Sequence, residues 1–483
     1  MVATIKSGII TLLHTACGAG ILAMPFAFKP FGLLFGILII TFCGCCALLG
    51  LLLQTRVVKY IPQNSNASFF VLANQINPNL SVIFDIAIAV KCFGVGVSYL
   101  IVIGDLMPQI LNVFTENSWL LNRNFHITMM MLFIVTPLCF MKRLNSLRHA
   151  SMIAISSVVY LCLLVIIHFI LPSNDIEGLK GKVSWWFPKN EPSPLTTLPI
   201  FVFAYTCHHN MFSVINEQPK KNFSNTRCIA IYSILLAFLL YIVIGGSGYL
   251  TFGDNITGNI IMLYPQSISS TIGRMAIVLL VMLAFPLQCH PARASIHHTI
   301  HFFETRYRNK GNKTNNSNEM DISGNFAVTT STISIVDNTF NNSTTALIPQ
   351  ISVTEDATLI VAEELIEENS PKQPEIVPLK GKRFIIITTC ILVCSYLLAI
   401  SVHSLAFMLS LVGATGSTSI SFILPGIFGY KLIGSEYTAA SNSTMTMPKK
   451  TKLFKFFGLC LTLWGVIIMI TSLFATLTVG PSH

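Results

Sequence analysis

Charge is what this sequence has least of. Aspartate, glutamate, lysine and arginine make 10% of its 483 residues, against about 25% in an ordinary soluble chain. Hydrophobic residues make 53%. That balance excludes a solvated globular domain, because too little polar side chain is present to cover one. Other absences narrow the chemistry. There is no HExxH motif and no legible Ser-His-Asp arrangement. The histidine-rich run "SIHHTIHFFE" (295–304) lacks acid partners at metal-ligand spacing and reads as an interfacial helix. An enzyme, a metal site or a cofactor is not expected. The thirteen cysteines avoid the polar loops, so no disulfide framework is expected, and Cys43, Cys45 and Cys46 read as small packing residues. The net charge of +10 does not require nucleic acid, since the basic residues flank apolar segments as the positive-inside rule demands.

What is present is a series of long apolar runs. Crossing ~30 Å of hydrocarbon takes about 20 residues at 1.5 Å each. Eleven spans are expected, at roughly 5–28, 33–54, 81–114, 125–141, 149–171, 197–216, 227–252, 268–291, 384–402, 404–430 and 453–479, with a short interfacial helix at 67–78. The first is expected to remain as an uncleaved anchor, because no small-residue cleavage pattern follows a short apolar core. Lysine and arginine cluster on one side, as in Lys142, Arg143 and Arg148 or Lys449, Lys450, Lys452 and Lys455. The other side holds Lys29, Arg123, Lys180, Lys182 and Lys189. This bias places the N-terminus in the cytosol and the C-terminus outside or in a lumen. The chain thus divides into spans one to eight (1–291), a polar insertion (292–383) and spans nine to eleven (384–483). The insertion is rich in Asn, Ser and Thr, cannot bury a core, and is expected to be a disordered cytosolic loop.

Within the first span stands "HTACGAGILAMPFAF" (14–28). Glycine and proline are tolerated at membrane depth where freed backbone groups find partners or line a cavity. "CGAG" therefore suggests an unwound stretch with a half-helix starting near Ile21, whose N–H groups and dipole suit a carboxylate. Gly-x-Gly also serves plain close helix packing, and both readings stay open on this motif alone. The sixth span, "PIFVFAYTCHHNMFSVINE" (199–217), sets two histidines and an asparagine in an apolar helix. Interrupted helices at matching positions of two repeats point to a transporter's binding site. A third polar interruption, "VGATGSTS" (412–419), lies in the tenth span. Ionisable residues inside spans include His14, Lys91, Asp105, Arg274 and His290. Lys91 either pairs structurally or faces water and substrate. Arg274 sits where snorkelling would suffice.

The stretches "LLHTACGAGILAMPFAFKPFG" (12–32), "FVFAYTCHHNMFSVINEQ" (201–218) and "LAFPLQCHPARASI" (283–296) resemble the amino acid/auxin permease family, and within it the fungal vacuolar amino acid exporters, those for acidic amino acids included. The resemblance covers about residues 4–480, with 292–383 the part that matches poorly. It implies an all-α polytopic membrane protein with a LeuT-like five-plus-five inverted repeat plus one helix. It also implies proton-coupled amino acid movement across the vacuolar membrane. By the same resemblance, Thr15, Cys17, Gly18, Ala19 and Gly20 bind substrate, joined by Tyr205, Cys207 and His208 of span six.

Sodium-dependent relatives carry an asparagine where this chain aligns His14, and a span-eight hydroxyl where it reads "VLLVMLAFP" (278–286). Sodium needs hard oxygen ligands, whereas imidazole titrates near neutral pH. His14 and His208 are thus candidates for proton coupling, with a hydrogen-bonded packing role open for His14. Lys91, His209 and Arg274 are candidates to recognise an acidic side chain. The expected activity is export of amino acids, aspartate and glutamate first, from vacuole to cytosol. A neutral amino acid transporter and an amino acid sensor signalling through 292–383 are the alternatives. The expected partners are the amino acid, protons and the lipid membrane.

Overall fold

A computed structural model describes residues 4–61, 66–141, 148–186, 193–218, 223–319, 381–439 and 447–479. Among these residues every regular element is helical. In chain order they are α1 (Ile5–Ala16), α2 (Met24–Phe28), α3 (Leu33–Val57), α4 (Phe69–Ile76), α5 (Pro78–Leu111), α6 (Arg123–Met130), α7 (Thr136–Phe140), α8 (Arg148–Ile170), α9 (Asn174–Gly178), α10 (Pro194–Ala204), α11 (His208–Glu217), α12 (Phe223–Phe252), α13 (Ile268–Glu319), α14 (Gly381–Ser401), α15 (Leu405–Val412), α16 (Leu424–Leu432), α17 (Ser435–Ala439) and α18 (Lys449–Thr478).

Nine helices among the described residues are long and apolar enough to cross a membrane. They correspond to nine of the eleven expected spans. The two left over are 5–28 and 197–216, the two expected to be interrupted, and each is split in the structure. The outward faces are apolar, with Leu38, Phe133, Leu163, Leu239, Ile386 and Phe474 exposed, as lipid contact requires. Local signals start the helices. Thr4 caps α1 by accepting from the Ser7 N–H, Ser68 caps the short helix α4 in the same way, and Asn77 caps α5 ahead of Pro78. The tenth span widens where "VGATGSTS" interrupts it: two π-type turns, Gly413–Ser417 and Ser419–Ile423, join α15 to α16.

The described contacts divide the chain into two units, residues 1–301 with 379–483, and residues 302–378. The first holds the core, with α5 and the tenth span its most buried membrane-length helices. The second is described only through Glu319, where it is helical. Residues 292–319, expected to open the disordered loop, are therefore helix instead. Side chains pin the start of this extension. Arg293 donates to the Cys139 carbonyl (3.2 Å) and to Thr388 (3.0 Å), and His298 stands 3.7 Å from Asp85. The remainder of the expected loop, 320–380, lies outside the described residues.

Candidate functional site

The first break begins where α1 stops. The Cys17 N–H donates to Leu13 (2.8 Å), closing the last turn, and Gly18 then takes the chain out of the helix at φ −103°, ψ −145°. A three-residue turn, Ala19–Ile21, follows, and α2 starts at Met24 with Pro25 in its first turn. The expected half-helix from Ile21 is thus a tight turn and a five-residue helix, because proline favours a fresh helix start over continuation. The glycines allow close approach. A Cβ on Gly20 would stand 2.8 Å from the Phe203 ring, and one on Gly18 would stand 3.1 Å from the Tyr99 hydroxyl.

The second break is Tyr205-Thr206-Cys207, between α10 and α11. It contains neither glycine nor proline, so neighbours must satisfy its backbone. Gln54 donates to the His208 carbonyl (3.3 Å), and Thr206 turns its hydroxyl back to Val202 (3.0 Å). The Tyr241 hydroxyl of α12 lies 2.9 Å from the Ala16 carbonyl and 2.7 Å from the Ala204 carbonyl. One hydroxyl carries one hydrogen, so the two breaks share a single buried donor. A second link is direct: Asn210 donates to the Thr15 hydroxyl at 2.8 Å. The breaks are neighbours, joined twice.

Beside them lies a third polar group. Lys91 of α5, only 2% exposed, sits 3.3 Å from His209 Nε2 and donates to Gln288 Oε1 at 3.2 Å. Gln288 also bonds the Tyr99 hydroxyl, the group that faces Gly18. A polar chain thus runs from Tyr99, packed beside Gly18 at the first break, through Gln288 of α13 and Lys91 of α5 to His209 of α11.

The structure sorts the expected residues. Thr15, Cys17, Gly18, Ala19 and Gly20 are together at the first break, and Cys207 caps α11 at the second. Lys91 and His209 are brought into contact. Tyr205 and His208 face α3. His208 Nε2 meets the Ala47 carbonyl at 2.9 Å, and a Cβ on Gly44 would stand 3.3 Å from the Tyr205 hydroxyl. His14 lines an apolar cavity of about 300 Å³ with side chains of α8 and α12. Arg274 is elsewhere. Buried near the start of α13, it donates to the Tyr264 carbonyl (2.5 Å) and Gln266 (2.9 Å), bracing the loop before its own helix. It precedes Gln288 by four turns, about 21 Å along the axis. Tyr241, Tyr99 and Gln288 were not anticipated. Their only trace in the sequence is one polar group within an apolar run, a signal many packing residues share.

Paired breaks with freed backbone groups, in a bundle of membrane-length helices, are the arrangement of a carrier for a small zwitterion. A family profile described as transmembrane amino acid transporter protein matches residues 1–471. The chain belongs to this family. Over 480 residues it is 58% identical to vacuolar amino acid transporter 6 of Saccharomyces cerevisiae, covering 99% of each chain. It is 52% identical to vacuolar amino acid transporter 5 of the same yeast, across the full length of both. A more distant relative, sodium-coupled neutral amino acid transporter 7 of Danio rerio, is 26% identical over 58% of this chain and 61% of its own. As a transmembrane amino acid transporter, this protein needs a site for an α-amino and an α-carboxyl group, and the two breaks offer both carbonyls and N–H groups at one place.

Proposed function

We propose that this transporter is a proton-coupled secondary carrier of the vacuolar membrane that exports amino acids to the cytosol, with aspartate and glutamate as its main substrates. The observation that carries the reading is the joined pair of breaks, tied by Asn210 to Thr15 and by Tyr241 to both. The vacuolar setting is supported by the printed names of the two full-length yeast relatives. The basic bias of the short loops supports a cytosolic N-terminus and a lumenal C-terminus.

In this mechanism the substrate carboxylate meets the N–H groups of Ala19 and Gly20 and those of His208 and His209 at the start of α11, which lack intrahelical acceptors. The ammonium meets carbonyls freed at the same breaks. Acidic substrates are favoured because Lys91 lies beside the site, and among the described residues no carboxylate is within ion-pair distance of it. Proton coupling is assigned to histidines next to the breaks, with partly buried His14 and buried His208 the candidates from sequence. Neutral imidazoles suit a proton as cargo better than a sodium ion. The acidic lumen loads proton and substrate, and both leave on the cytosolic side.

Acidified vesicles carrying the protein, loaded with labelled glutamate and free of sodium, test the reading. Glutamate efflux should stop when a proton ionophore collapses the gradient. Efflux that ignores the gradient overturns proton coupling. Glutamine moving while glutamate does not overturns the acidic-substrate assignment and leaves a neutral amino acid carrier.

A further inference from the structure

Resting on the acidic-substrate, proton-coupled reading, we propose that Lys91 and His209 form the coupling site. Alone, the pair holds one positive charge. When the side-chain carboxylate of an acidic substrate arrives, the pair takes up one more proton, so anion and proton cross together.

The geometry suits a carboxylate. Lys91 Nζ is 3.3 Å from His209 Nε2. Two cations at that separation repel strongly in a weakly polarisable interior. In the absence of an anion, an ammonium therefore faces a neutral imidazole and donates to its Nε2. The imidazole's own hydrogen is then on Nδ1, which is buried and meets no hydrogen-bond partner in the structure. Lys91 has three N–H donors, and Gln288 takes a second of them at 3.2 Å. The pair thus offers a lysine donor, an imidazole donor and a surplus positive charge.

The groups facing the pair come from three helices and, among the described residues, include no carboxylate. On α5 itself this is Cys92; from the second break and α11, Cys207 and His208; from α13, Gln288. The tenth span presents bare backbone, since a Cβ on Gly416 would stand 2.6 Å from that of Lys91. With no fixed anion to hold it, a second proton comes to the pair only with an anion that is itself mobile. A substrate carboxylate supplies it. The ammonium turns to the carboxylate, Nε2 is freed, and the imidazole binds a proton there. One negative charge and one proton enter, and both leave on release. A neutral amino acid brings no anion and loads no proton at this pair.

The neighbouring candidates are placed differently. His208 is bonded to the α3 backbone, and His14 lines an apolar cavity. The Lys91–His209 pair instead extends through Gln288 to Tyr99, whose hydroxyl packs beside Gly18 of the first break.

The test measures proton and labelled-glutamate flux together in proteoliposomes, for the wild type and for His209→Gln. Glutamine at 209 still offers Lys91 an acceptor oxygen but cannot take a proton. In the wild type the glutamate KM should fall as pH falls, by about tenfold per unit for one linked proton. In H209Q the proton-to-glutamate ratio should drop by one, and the pH dependence of KM should flatten. H209Q that keeps both the ratio and the slope overturns the proposal. Should H209Q not fold, His209→Asn carries the same readout. Lys91→Met, assayed by ligand-induced thermal shift, should lose tenfold or more of glutamate binding relative to glutamine. Equal loss of both ligands makes Lys91 a packing residue and overturns the pair. If the wild type moves glutamate without protons, or does not move it at all, the underlying functional reading fails, a result distinct from failure of the pair.

Discussion

The first break and the second lie side by side and are made of different material. The first is Cys-Gly-Ala-Gly, where bare backbone approaches Tyr99 and Phe203. The second is Tyr-Thr-Cys, residues with no special licence to leave a helix. Tyr241 and Thr206 hold it open by bonding the Ala204 and Val202 carbonyls at the end of α10, and Gln54 braces the His208 carbonyl at the start of α11. Its backing is also tighter: His208 is wedged against Ala47 and Gly50 of α3. Their downstream halves differ too. After the first break comes a five-residue helix, whereas α11 has ten residues and so the larger aligned dipole at its start. Local composition therefore opens the first break, and tertiary hydrogen bonds open the second. The first should tolerate loss of its neighbours, while the second should depend on them.

The largest effect is expected at Gly50. A Cβ there would lie 2.3 Å from the Ser421 backbone oxygen and 2.8 Å from His208 Nε2. A backbone atom cannot rotate away, so Gly50→Ala should cost about 1–3 kcal/mol or more. In Gly20→Ala the Cβ meets the Phe203 ring, which can turn, and the cost should be smaller. Thermal unfolding followed by size-exclusion chromatography ranks the two. The reverse order would mean that the first break is the rigid one.

Next is Tyr241→Phe, which removes the donor that the breaks share: the Ala204 carbonyl loses it, and the Ala16 carbonyl keeps only the Gly18 N–H (2.9 Å). A loss of about 1–3 kcal/mol is expected, together with a fall in transport, because both halves of the site relax. Gln54→Leu affects the second break alone. Its loss should be nearer the ~0.6 kcal/mol average of side-chain hydrogen bonds in membrane proteins. Equal effects would show that the shared hydroxyl is not the common strut.

How far the sequence carried can be judged at particular residues. Membrane-length helices were legible because hydrocarbon demands long apolar runs. The two segments that fail as continuous helices are those whose glycines or paired histidines suggested it. Orientation around a helix was not legible. His208 and His209 are adjacent and equally polar, yet one faces α3 and the other meets Lys91, since neighbours on a helix point about 100° apart. Lys91 and Arg274 are both cations in apolar helices. Only the fold shows that Arg274 is committed to the carbonyl of Tyr264. Tyr241 left almost no trace, because its role depends on two carbonyls more than thirty residues away in sequence. The extension of α13 past 291 was hidden by its polar composition and is pinned by Arg293 through contacts with α7 and α14.

The smallest effect should come from the direct bridge between the breaks. Asn210 Nδ2 donates to Thr15 Oγ1 at 2.8 Å, while Thr15 donates to the Thr11 carbonyl at 2.7 Å. Thr15→Val keeps the shape and removes the acceptor, and Asn210→Ala removes the donor. If the bridge couples the breaks, the double variant should cost less than the sum of the singles, by no more than about 0.6 kcal/mol. The stability cycle should be matched by a cycle in transport rate. Coupling in stability without coupling in transport would make Asn210–Thr15 a packing bond. Coupling in both would mean that the two breaks, although held open by different means, move as one unit when substrate binds.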